Sequence, residues 1–206
     1  MRKTAHLFTK KGAFGNLRLT MGYIFDPAVI HEVGKKGVGL PPEQMVPVIM
    51  SELAAAYPGH VATEAKFIFS MAAGITGIMT VLHGSLSEYI VLFGTPVGSE
   101  GFSGRYGLDI YDVVISGEMW TYTEENYLRR EVHRPGQMAA LKKGQAKGVK
   151  LHEDIWLLEY GRGFIPGCLP VGLGDALISC IVLKTVGKTL GHYGKLVIKE
   201  LLQGKI

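Results

Sequence analysis

Two runs in the middle of the chain alternate apolar and polar side chains with the period of two that a β-strand imposes. Between Ser87 and Phe93, Tyr89, Val91 and Phe93 share one face, while Glu88, Ile90 and Leu92 share the other. Between Leu108 and Ile115, Leu108, Ile110, Asp112 and Val114 fall together, opposite Asp109, Tyr111, Val113 and Ile115. A third run, IWLLEYGRG, sets Ile155, Leu157 and Glu159 against Trp156, Leu158 and Tyr160. Short strands are predicted at 66–71, 76–83, 86–93, 106–117, 120–133, 138–142 and 154–161. Glycine-bearing turns at Gly94 to Gly104, Pro135-Gly136 and Gly144 to Gly148 separate them. Strands at this spacing predict a sandwich or barrel and not a parallel sheet.

The period changes on either side of the strands. Asp26-Pro27 reads as an N-cap followed by proline at the first helical position, opening a helix through Val29, Ile30 and Val33 that Gly34, Gly37 and Gly39 stop. A second helix follows Pro41-Pro42, with Val46, Ile49, Met50 and Leu53 on one face, and ends before Tyr57-Pro58-Gly59. The fold class is therefore mainly β with flanking helices (α+β). From Phe164 to Leu183 the only charge is Asp175, a length that permits a membrane span but is interrupted by Pro166, Pro170 and glycines. In the helix that follows, Val186, Leu190, Tyr193, Val197 and Leu201 share one side, and Lys184, Lys188, Lys195 and Lys199 cluster opposite. An apolar stripe opposed by lysines predicts a helix lying in a membrane interface, in preference to an ordinary surface helix packed on the strands. Three segments result: a basic stretch at 1–22, helices and strands at 23–163, and a helical, membrane-associated cap at 164–206.

Composition narrows the classes. With 206 residues and 47% hydrophobic content the chain can build one good core, and its mean hydropathy of +0.20 is high for a freely soluble domain. The net charge of +4 would suit nucleic acid or an anionic lipid surface, but no basic stretch is interleaved with aromatics as in a stacking platform, so nucleic acid is not expected as a partner. Cys168 and Cys180 lie twelve residues apart in what reads as one helix, about 18 Å along its axis, too far for a disulfide. Free thiols packed among apolar residues are expected. The first 22 residues are basic, lack the apolar core of a secretion signal and are too polar to span a bilayer.

Asp112 and Glu159 are the chemically informative residues, because each is a carboxyl on an otherwise apolar strand face. If both faces point into one interior, they cannot both be ionised cheaply, and one should hold a proton while the other stays charged. The alternative, equally compatible with spacing alone, is that each acid pairs with Arg105, Arg162 or a backbone amide. Glu88 faces away from Tyr89 and reads as structural, as does the lone His83. None of the seven histidines stands in a His-x-His pair, so no metal is expected.

The words LHGSLSEYIVLFGT (Leu82 to Thr95), SGRY (Ser103 to Tyr106), YPGH (Tyr57 to His60) and EYGRGFIP (Glu159 to Pro166) resemble the family shared by fungal C-8 sterol isomerase and the sigma non-opioid receptor of animals. The likeness runs from about Tyr23 to the C-terminus. LKKGQAK (Leu141 to Lys147) and CLPVGLGD (Cys168 to Asp175) lean toward the fungal enzyme. The resemblance implies a cupin-like β-barrel, with HRPGQ (His133 to Gln137) similar to a cupin turn, N-terminal helices, and two C-terminal membrane-facing helices. It implies Asp112 and Glu159 as catalytic acids supported by Tyr89, a pocket lined by Ile75, Met79, Val91, Phe93, Ile110, Val149 and Leu151, and no cofactor. The ligands it implies are a sterol or other hydrophobic small molecule and cationic amphiphilic amines. It further implies a homotrimer on a membrane surface: the endoplasmic reticulum in a eukaryote, the cytoplasmic membrane face in a bacterium. Eukaryotic members begin with a membrane-spanning helix, which residues 1–22 do not resemble. Three functions stay open on these grounds: a sterol isomerase moving a double bond from the eight to the seven position, a receptor-like protein binding without turnover, and an isomerase or cyclase of another polycyclic terpenoid.

Overall fold

The computed structural model describes residues 22–206; the expectations for 1–22 fall, except for Gly22, outside the described residues. Two helices come first, α1 (Pro27–Lys36) and α2 (Pro42–Ala56). Asp26 caps α1 by accepting a 2.8 Å hydrogen bond from the Ala28 amide, and Pro27 opens the first turn, where a missing N–H costs nothing. The strands follow: β1 (Ile68–Ala72), β2 (Ile75–Gly84), β3 (Glu88–Thr95), β4 (Ser99–Phe102), β5 (Leu108–Ser116), β6 (Met119–Thr123), β7 (Glu131–His133), β8 (Met138–Leu141), β9 (Lys147–Leu151) and β10 (Ile155–Gly163). The chain ends in a 3-10 turn (Ile165–Cys168), α3 (Leu169–Gly174), a π-helical turn (Asp175–Ser179) and α4 (Leu183–Leu202).

The strands form two antiparallel sheets, ordered β1-β2-β3-β10-β5-β8 and β4-β9-β6-β7. This is the cupin-like arrangement expected, with one correction: hydrogen bonding among the described strands does not run continuously round a barrel. The central strands of the larger sheet are buried on both faces. Their outer face, including Leu82, Ile90, Leu92, Val113 and Leu158, packs under Ile30, Val33, Met45, Ile49 and Leu53 of the two N-terminal helices. Gly34 permits this contact, since a Cβ there would lie 2.6 Å from Val113 Cγ1. The inner face, with Phe93, Val114, Ile155 and Leu157, meets Met119, Val149 and Leu151 of the smaller sheet. Period-two alternation is thus converted into two cores, one under the helices and one between the sheets.

Three sequence expectations change. The strand expected over 120–133 is two strands, β6 and β7, because the polar EEN segment between them turns at the Asn126 amide to Thr123 carbonyl bond and leaves Tyr127 and Leu128 exposed. The turns at Gly94 to Gly104 and Gly144 to Gly148 hold β4 and the start of β9. The apolar stripe of α4 is divided: Val186 and Val197 are buried, Leu190 is 42% exposed, Tyr193 packs on Gly84, and the Tyr193 hydroxyl donates to the Ser85 carbonyl at 2.5 Å. α4 therefore covers one end of the space between the sheets. Cys168 and Cys180 are both free, as expected, but the helix joining them is broken into 3-10, α and π turns, and Cys180 is exposed instead of packed. No helix among the described residues is long and apolar enough to cross a membrane.

Glu88 is fully buried and ties the segment before α1 to the C-terminal Lys205. It accepts hydrogen bonds from the amides of Ile24 and Phe25 and from the Tyr160 hydroxyl, and it pairs with Lys205 at 2.9 Å. His83 is likewise buried, its Nδ1 against the His60 carbonyl at 2.7 Å. Burial lowers its pKa, the charged imidazolium being penalised away from water.

Candidate active site

Between the two sheets lies a cavity of about 260 Å³, closed at one end by the 3-10 turn, α3 and α4. It is slightly smaller than the roughly 300–1,000 Å³ usual for small-molecule sites. All ten residues singled out from the sequence line it: Ile75, Met79, Tyr89, Val91, Phe93, Ile110, Asp112, Val149, Leu151 and Glu159. The rest of the wall is mainly apolar, its other polar groups being Ser70, Ser103, Tyr106, Lys147, Thr189 and Tyr193, so the acids stand in a low-dielectric interior.

β10 is the organising strand. It pairs with β3 on one side and β5 on the other, and the β5 register sets Glu159 directly opposite Asp112. On the other side Gly161 lies opposite Tyr89, whose ring crosses over it; a Cβ at 161 would sit 2.2 Å from the Tyr89 ring. This glycine lets the Tyr89 hydroxyl reach Glu159, donating to Oε1 at 2.5 Å. Asp112 has a different partner, absent from the sequence-based site: the Lys147 ammonium, 2.5 Å from Oδ2. Lys147 and Asp112 are only 7% and 4% exposed, so this is a buried ion pair. The arginines offered as alternative partners go elsewhere, Arg162 to Asp109 at 3.4 Å and Arg105 to Glu124 at 2.8 Å.

These contacts separate the two acids. Glu159 is raised from 4.5 to about 7, first by burial and next by the negative charge of Asp112, against the opposing pull of the Tyr89 hydrogen bond and of Lys147. The surface left on Glu159 faces the cavity. With Tyr89 donating to Oε1, the proton of the neutral acid belongs on Oε2, where it can be shared with Asp112 or offered to a bound molecule. Burial and the neighbouring Glu159 hold the Tyr89 phenol well above its usual range, so it stays a donor. Burial also pushes the Cys168 thiol in the cavity wall up to about 11, which keeps it from acting as a thiolate. A proton-holding carboxyl beside an ion-paired carboxylate provides a general acid and a general base in one dry site.

Lys147 carried a signal that sequence reading passed over. Val149 and Leu151 line the cavity, and a period of two back along β9 reaches Lys147. Among the described residues no cluster of three or more His, Cys, Asp or Glu is arranged to hold a metal ion.

The model of the family described as "ERG2 and Sigma1 receptor like protein" matches residues 5–205. The sigma non-opioid intracellular receptor 1 of Gallus gallus is 38% identical over 180 residues, 86% of this chain and 81% of that protein. The C-8 sterol isomerase ERG2 of Gibberella zeae is 33% identical over 196 residues, 94% of this chain and 83% of its own length. That of Aspergillus fumigatus is 32% identical over 203 residues, 97% of this chain and 84% of its own length. Among solved structures, an RmlC-like cupin from Shewanella frigidimarina NCIMB 400 matches 49% of this chain and 85% of that chain, at 13% identity and a TM-score of 0.40. With a family match over nearly its whole length and relatives above 30% identity on both branches, the chain belongs to the ERG2 and Sigma1 receptor like family.

Proposed function

We propose that this protein is a cofactor-independent sterol isomerase that moves a ring double bond from the eight to the seven position. The observation that carries the reading is the register pair Asp112 and Glu159, with Glu159 raised to about 7 beside an ion-paired carboxylate in an apolar cavity. Glu159 gives its Oε2 proton to one alkene carbon, and the electron pair of the double bond forms the new C–H bond. The tertiary carbocation left on the other carbon is stabilised by the Asp112 carboxylate at short range, where no water competes. Asp112 then removes a proton from the neighbouring ring position, and those electrons close the new double bond. Asp112 ends protonated and Glu159 ionised; when the product leaves, the carboxyls exchange their proton with water, and Glu159 is reprotonated from solvent while Asp112 is ionised again.

The same reading includes a membrane as the source of so apolar a substrate. Its support is the exposure of Ile178, Ile181 and Leu183, which lie next along the chain to the exposed Lys184 and Lys188. The homotrimer expected from the resemblance belongs to this reading and is measured by light scattering in detergent. The test of function is turnover of a delta-8 sterol in lipid micelles by the wild type, Glu159→Gln and Asp112→Asn. Each amide should lower turnover at least about a hundredfold, and the double variant should cost little more, since the acids act as a unit. A wild type that binds sterols and never isomerises one would support instead the receptor-like reading, to which the Gallus gallus relative belongs.

A further inference from the structure

Asp112 is only 4% exposed, so a proton it takes from a substrate must be carried some distance to reach bulk water. A row of polar side chains leads away from it across the smaller sheet. Met119, Val149 and Leu151 line the cavity, so alternation turns Thr121 and Lys147 to the same inner face, and His133, directly opposite Met119, joins them. Thr121 lies directly opposite Val149, one inner-face position along from Lys147, a diagonal separation of about 7–8 Å. Thr121 is buried, and its hydroxyl meets His133 Nε2 at 2.9 Å. His133 stands on β7, the edge strand, with its side chain 15% exposed, so the row ends at solvent. The turn after β7 brings this edge against the strand that carries Asp112. The Gly136 amide donates to the Val114 carbonyl at 2.8 Å, the Val114 amide donates to the Gln137 carbonyl at 3.0 Å, and β8 then sets Ala139 directly opposite Asp112.

We propose that Thr121 and His133 form the exit by which the proton taken up by Asp112 returns to bulk water. Once product has formed, the Asp112 O–H bond breaks toward an intervening water, that water passes a proton to the Thr121 hydroxyl, and the hydroxyl passes its own to Nε2 of the neutral imidazole. The imidazolium releases a proton to bulk water, and Asp112 is again a carboxylate beside Lys147. One proton enters the row and one leaves it. The ring suits this task, because burial and next the Lys147 ammonium lower its pKa, against the pull of Glu131, 3.9 Å away on the same strand, and of Asp112. His133 acts through Asp112 and does not touch the substrate. The inference rests on the isomerase reading above.

The test compares single-turnover and steady-state isomerisation of a delta-8 sterol in lipid micelles. The proteins are the wild type, Thr121→Val, and His133→Gln, which keeps a hydrogen-bonding group beside Thr121 but takes up no proton. Both variants should match the wild type in sterol affinity and in the first turnover, and fall at least about tenfold in the steady state. Imidazole added to the buffer should restore the steady-state rate of His133→Gln, which it would not do for a merely structural residue. Thr121→Ser, which keeps the hydroxyl, should behave as the wild type. Wild-type steady-state rates in folded variants, checked by their melting transitions, overturn the proposal and mean that Asp112 exchanges through the cavity itself. A first turnover that falls as far as the steady state overturns it, as does a loss that imidazole leaves in place. A wild type that never isomerises the sterol overturns the isomerase reading and the inference together, whereas the other adverse results overturn the exit alone.

Discussion

Replacing Glu159 by glutamine keeps the oxygen that accepts from Tyr89 and removes the ionisable group, so the variant isolates what the buried acid costs. In the folded chain Glu159 holds its proton up to about pH 7, whereas unfolded it releases it near 4.5. Between those values the folded state binds more protons, and stability falls as pH rises; below the window the group contributes no penalty, and above it the penalty is complete. At ~1.4 kcal/mol for each pH unit, the span from 4.5 to about 7 gives a penalty of about 3 kcal/mol. This is a ceiling, because water entering the cavity on ionisation recovers part of the hydration. Urea unfolding at pH 5 and pH 8 should find Glu159→Gln close to wild type at the lower pH and more stable at the higher, by up to about 3 kcal/mol, or ~6–12 °C in melting temperature for a chain of this size. His83 contributes with the opposite sign, since a depressed histidine gains stability as pH rises, but it is common to both proteins and cancels in the difference. Parallel pH curves for the two proteins would refute the assignment of Glu159 as the proton-holding acid.

Gly161→Ala should drive the Tyr89 ring off Glu159, since the new methyl meets that ring at 2.2 Å. Losing that hydrogen bond removes an influence that lowers the acid, so the pH window of the same unfolding difference should move upward; an unmoved window would show that Tyr89 does not tune Glu159. Glu88→Gln should destabilise the fold by ~3–5 kcal/mol by stranding the Lys205 ammonium in the interior. It should leave sterol affinity intact at a temperature where the protein is folded, which equilibrium binding checks, because Glu88 faces the helix side of the sheet and not the cavity.

Much of the site was legible because β3, β5 and β10 obey strict alternation. Tyr89, Asp112 and Glu159 each sit among apolar same-face neighbours, and a period of two says which way they point. What alternation could not supply was register: nothing in the spacing of SGRYGLDIYD and IWLLEYGRG sets Asp112 opposite Glu159, because strand order is decided by how the sheets pack. Lys147 was hidden differently. It stands in a lysine- and glycine-rich stretch, LKKGQAKGVK, that reads as a solvated turn, and its burial becomes visible only when β9 is seen to line the cavity. The α4 stripe shows a third limit. A helical period tells which residues share a face but not what covers it, and here Leu190 and Tyr193 line the end of the cavity while Val186 and Val197 are buried against the protein.

The most direct test of the account is the isomerisation of a delta-8 sterol run in heavy water. If Glu159 delivers a solvent-exchangeable proton to the alkene, the recovered delta-7 product must carry one deuterium at the protonated carbon, and Glu159→Gln must lose the label and the product together. A product formed at the wild-type rate with no solvent deuterium, or normal labelling by Glu159→Gln, would contradict the proton relay at the centre of this account.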